Sequence, residues 1–151
     1  MDFYDWILFI HILAGATWVG GLIYANVLMI ATAKAGDSVA LVDTALRVGK
    51  VNRTMLPPAG AITVLAGIYL VSDRWDFGDG WVSASLALAL GVIAVAVGFM
   101  VPESRKVERE VAANGPGPAV GARLRRIGML ARLFTLVVAF VLLLMIWKPG
   151  L

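Results

Sequence analysis

WILFIHILAGATWVGGLIYANVLMIA, residues 6–31, runs for 26 positions without a formal charge, and its reading decides the fold class. At roughly 1.5 Å per residue such a helix outspans the ~30 Å hydrocarbon core of a bilayer. The run is too long for a cleaved signal peptide, and Asp2 and Asp5 stand where a basic n-region would be expected. We therefore read it as a mature transmembrane helix. Its anomaly is His11, the only histidine in the chain. An imidazole in hydrocarbon is costly without a partner and marks a candidate functional site. Copper, zinc and haem iron all accept imidazole nitrogen, so a buried metal or haem is the first chemistry to consider.

Working outward, three further apolar runs follow, at about residues 55–71, 81–101 and 127–147. Pro57-Pro58 stands near the start of the second, where a first helical turn tolerates proline. Pro102 closes the third, and Lys148-Pro149-Gly150 the fourth. Of 151 residues, 60% are hydrophobic and 15% charged, against ~45–50% and ~25% in soluble domains. The expectation is one integral membrane domain over residues 1–151, an all-α, four-helix transmembrane bundle in the lipid bilayer. Cysteine is absent, which excludes disulfides, iron–sulfur clusters and thiolate metal sites.

The net charge of +3 reads as a topology signal, with no nucleic-acid role. Lys34, Arg47, Lys50 and Arg53 follow the first span; Arg105, Lys106, Arg109, Arg123, Arg125 and Arg126 follow the third. Arg132 snorkels to the same face, and only Arg74 and Lys148 fall on the other. The positive-inside rule then predicts an N-out/C-out protein of the bacterial inner membrane. An amphipathic segment, Ser38 to Asn52, lies between spans one and two, with Val39, Val42, Leu46 and Val51 near helical spacing. It fits a helix lying on anionic headgroups, or equally a cap packed on the bundle. Asn114-Gly115-Pro116-Gly117-Pro118 reads as a turn.

His11, Gly15, Trp18 and Leu22 recur at steps of four, three and four, so they share a helix face. Small residues there allow close approach of a flat ring, or plain helix–helix packing. At the depth of His11 span two offers Tyr69, span three Ser83 and Ser85, and span four Met145, the internal thioether nearest it; a His/Met pair suits haem or copper. With one histidine, bis-histidine ligation within the chain is impossible. A haem would be five-coordinate, use a non-histidine ligand, or sit between copies in a homo-oligomer. Arg74 or Lys148 could meet its propionates. The expected spans contain no Asp or Glu, which argues against a carboxylate proton path.

His11 followed by Trp18 and Gly20-Gly21 resembles the first span of the HemJ/CopD-like group of small bacterial membrane proteins. Met55-Leu56-Pro57-Pro58, Ala66 through Leu70, Gly80-Trp81 and Trp147 through Gly150 are similar to the group's later spans. The resemblance implies a b-type haem held by His11, and in HemJ-type members the oxidation of protoporphyrinogen IX. Those members also carry a lysine shortly after Gly-Trp, which would align here with Ser85. Serine cannot replace an amine as ligand or cation, so haem binding is expected more directly than the oxidase reaction. The expected function is a haem-b-binding membrane protein with a redox or haem-handling role. Porphyrin oxidation, an accessory-subunit role in a larger membrane complex, and copper handling are the alternatives.

Overall fold

The computed structural model describes residues 2–149, and every regular element among them is helical. Helix α1 spans Phe3–Lys34, α2 Ser38–Arg74, α3 Gly80–Val95, α4 Val101–Asn114 and α5 Pro118–Trp147. A π-helical turn, Ala96–Met100, joins α3 to α4 without a break. Four helical stretches are thus long and apolar enough to cross a membrane: α1, α2, the α3–α4 rod and α5. Helix α1 packs on α2 and α5, and α3 also packs on α2 and α5. The four spans therefore form a ring in which α1 and α3 stand diagonally opposed.

Every rod overruns the span expected for it. At 37 residues, α2 is roughly 55 Å long, far beyond a ~30 Å hydrocarbon core. The amphipathic segment 38–52 is the first half of α2 and does not form a separate helix. Its Val42 meets Val107 of α4 and Val120 of α5 in a small second core flanked by Leu46, Val111, Leu124 and Ile127. Of the two roles open to the segment, the structure shows the packed cap. Asp37 starts α2 by accepting the N–H groups of Val39 and Ala40 at 2.9 and 3.0 Å.

Two proline readings change with this. Pro57 and Pro58 lie inside α2, not in its first turn. They cannot donate to the carbonyls one turn back, those of Arg53 and Thr54, so two rungs of the ladder are missing there. Nor does Pro102 end the third span. The π turn lies just before it, where the Val101 N–H reaches five residues back to Ala96 O. A π bulge is one of the few ways a helix absorbs a local misfit, and here it carries the rod on to Asn114.

The main core gathers Trp18, Leu22, Ala59, Val64, Ala89, Val92, Phe134 and Val138. Association inside a membrane relies on close packing because lipid is as apolar as the side chains. Glycines supply that closeness between α1 and α2. A Cβ on Gly60 would lie 3.2 Å from the Trp18 indole, and one on Gly21 2.6 Å from Leu56 Cδ2. Asn26 ties α1 to α5 by donating to Thr135 Oγ1 at 2.8 Å and Ala131 O at 3.2 Å. Outward, Leu13, Tyr24, Leu65, Leu90, Leu136 and Ile146 stay exposed, which is what a lipid-facing surface requires.

The ends differ in charge. The end formed by the cap carries 11 of the 13 basic residues, whereas Arg74 and Lys148 are the cations of the His11 end. At the basic end Arg53 of α2 pairs with Glu108 and donates to Ser104 Oγ at 2.7 Å, joining α2 to α4. Glu103, buried there, receives Lys106 at 2.7 Å and Arg123 of α5 at 2.6 Å. The Lys106 and Arg123 hydrogen bonds hold its carboxyl below the usual glutamate range.

Candidate functional site

His11 lies on the inward stripe of α1, two turns above Trp18, where Gly15, Trp18, Leu22 and Ala25 are all buried. Its ring crosses to α2, and Nδ1 stands 2.8 Å from the carbonyl oxygen of Thr63. A carbonyl can only accept, so Nδ1 carries the proton and donates. The neutral ring then keeps its lone pair on Nε2. This is the arrangement that metal-ligating histidines use, with one nitrogen fixed by a backbone carbonyl and the other left as ligand. Gly67, one turn beyond Thr63, makes the approach possible. A Cβ there would lie 3.0 Å from His11 Cε1 and 3.3 Å from Nδ1.

Beside the imidazole lies a cavity of about 550 Å³ among α1, α2, α3 and α5, within the ~300–1,000 Å³ range of cofactor sites. His11, Gly15, Trp18, Met145 and Lys148 all line it. Arg74 does not. It sits over the Tyr4 ring at 3.8 Å and pairs with Asp73 at 3.5 Å, outside the lining. Lys148 ends α5 in a left-handed turn, φ 45°, and its Nζ lies 4.2 Å from the Trp75 ring centre and 5.8 Å from that of Trp81. No carboxylate of the described residues pairs with Lys148, and no Asp or Glu lines the cavity.

Of two further donors in the cavity wall, Ser85 lies at the depth expected for it and Trp81 was not foreseen. Trp81 Nε1 and Ser85 Oγ are buried, with no hydrogen-bond partner among the described residues. Ser85 is 3% exposed. Ser83, two residues earlier, turns outward and bonds Gly80 O at 3.2 Å. The polar character of Ser85 inside an apolar helix was the available signal, but its burial depends on packing. Trp18 also borders a second, smaller hollow of about 160 Å³ toward the basic end. Among the described residues, no three His, Cys, Asp or Glu side chains gather as a metal-binding group.

Fold and site together define a small four-span membrane protein whose one imidazole is held beside a cavity of cofactor size. The chain belongs to the DUF2269 family, described as predicted integral membrane proteins, which it matches over residues 5–149. Neither the curated proteins nor the solved structures yielded a match.

Proposed function

We propose that this protein binds b-type haem with His11 as an axial ligand and serves a redox or haem-handling role. The observation that carries the reading is the 2.8 Å bond from His11 Nδ1 to Thr63 O, which leaves Nε2 free of that bond on a residue that lines a 550 Å³ cavity. One imidazole is enough for haem because the porphyrin supplies four nitrogens of its own. A bare ion would need several protein ligands, and here only Met145 joins His11 among soft or nitrogen donors in the lining. When bound, haem supplies one-electron chemistry at iron.

The chain's own residues divide the remaining work. Gly67 leaves space for the ring, and Thr63 O fixes its tautomer. The apolar lining excludes water, and Lys148 offers a cation to a propionate at the cavity mouth. Because Arg74 is engaged elsewhere, Lys148 is the propionate partner we favour. The HemJ/CopD-like resemblance supports the same site. With serine in place of that group's lysine, the proposed role is haem handling and not porphyrinogen oxidation. By the positive-inside rule the basic end faces the cytoplasm of a bacterial inner membrane, which sets the haem near the outer face.

The test is an absorption spectrum of protein purified in mild detergent, wild type beside His11→Ala. A Soret band in the wild type that disappears in the variant supports the reading. A featureless wild-type spectrum after haem supplementation overturns it, and copper found by elemental analysis would then select the metal-handling alternative.

A further inference from the structure

The two unpartnered donors of α3 stand at a telling place. Trp18, Ala89 and Val92 belong to one core cluster, and α1 and α3 run in the same direction. His11 is seven residues before Trp18, and Ser85 is four before Ala89 and seven before Val92, so they lie roughly 10 Å and roughly 6–10 Å above that layer. They are level to within about one helical turn, on helices that face across the ring. Trp81 is one turn further toward the His11 end, four residues from Ser85 and thus on the same face of α3. Both side chains line the cavity that His11 lines.

An unpartnered buried donor costs roughly 1–3 kcal/mol, and this wall carries two of them. Such groups call for an acceptor that arrives with a ligand. Met145 does not fill that role, because a thioether is a weak acceptor and neither donor bonds it. Resting on the haem reading above, we propose that Ser85 and Trp81 form a distal hydrogen-bonding site for a small exogenous iron ligand. A haem held by His11 as its only protein ligand would leave a position for a diatomic or small anionic molecule, whose far atom would accept the Ser85 O–H and the Trp81 N–H. Donors placed in this way decide how strongly such ligands are held.

The experiment uses the full-length haem-loaded protein with cyanide on the ferric form and carbon monoxide on the ferrous form, comparing wild type, Ser85→Ala, Trp81→Phe and the outward-facing Ser83→Ala. The wild type is expected to bind both probes. The cyanide Kd should rise about tenfold in Ser85→Ala and in Trp81→Phe, the equivalent of one hydrogen bond to a charged acceptor at the low end of its range. The C–O stretch of the ferrous carbonyl should move to higher frequency in both, and Ser83→Ala, at a residue that turns outward, should behave as wild type. Equal affinities and an unchanged C–O stretch in all four proteins would overturn the proposal while leaving haem binding intact. So would a six-coordinate wild type that refuses both probes until Met145 is replaced. A wild type with no Soret band removes the haem reading itself, and this site with it.

Discussion

Replacing Gly67 by alanine tests whether the imidazole is held by α2 as described. The new methyl would sit 3.0 Å from His11 Cε1 and 3.3 Å from Nδ1, about 0.4 Å inside ordinary contact. The α2 backbone is a poor candidate to yield, since Thr63, Val64, Ala66 and Leu70 around it are all packed. The ring must retreat, and its bond to Thr63 O then stretches from 2.8 Å to about 3.2 Å, the edge of normal N–H···O geometry. Overpacking of this size costs about 1–3 kcal/mol, which includes part of a hydrogen bond worth ~0.5–1.5. Against it stands the ~1 kcal/mol that alanine gains over glycine within a helix. Gly91→Ala isolates that gain, because a Cβ at Gly91 meets nothing within 4 Å. In detergent-mixture unfolding, Gly67→Ala should therefore fall about 1–3 kcal/mol below Gly91→Ala. Haem affinity should weaken about tenfold, as 1.4 kcal/mol is a factor of ten. Thr63→Val should keep haem, since the acceptor is a backbone carbonyl. Equal stability of the two glycine variants, with unchanged haem affinity, would refute the cradle.

Asn26→Leu removes the side-chain bonds from α1 to α5 and should cost about 1 kcal/mol in the same assay, membrane hydrogen bonds averaging ~0.6. A loss above 3 kcal/mol would show that Asn26 holds more than these contacts. Gly60→Ala should fall about 1–3 kcal/mol below Gly91→Ala and change tryptophan fluorescence, because the Trp18 indole lies 3.2 Å from the added methyl. An unaltered emission spectrum would contradict that contact. Glu103 titrates below the usual glutamate range through Lys106 and Arg123. Its contribution to stability is therefore complete above the ordinary carboxylate pKa and disappears as pH falls through the lowered value. Thermal unfolding against pH should show a shallower acid loss in Glu103→Gln than in the wild type, and parallel curves would assign the acid sensitivity elsewhere.

The four crossings were legible because charge-free runs of this length have few other readings. The limits of the rods were not. Residues 38–54 look marginal alone, and they become the start of α2 only because Val42 finds Val107 and Val120 across the bundle. That extension turned Pro57-Pro58 from a helix start into an interior feature, while the π turn allowed Pro102 to be passed. At the site, the inward face of His11, Gly15 and Trp18 was readable from spacing. Its anchor was not, because Thr63 contributes a main-chain oxygen, which every residue possesses. Ser83 and Ser85 are equal as letters, and helix phase against α2 and α5 decides that only Ser85 turns inward.

The paired prolines of α2 have a mechanical consequence. This one rod carries both the ion-paired arm around Arg53 and, some ten residues on, the carbonyl that steadies the imidazole. Lacking two rungs between them, it is stiff at each extremity and compliant in the middle. Bending of the rod is expected first at that point, which separates the arm from the end that holds the ring.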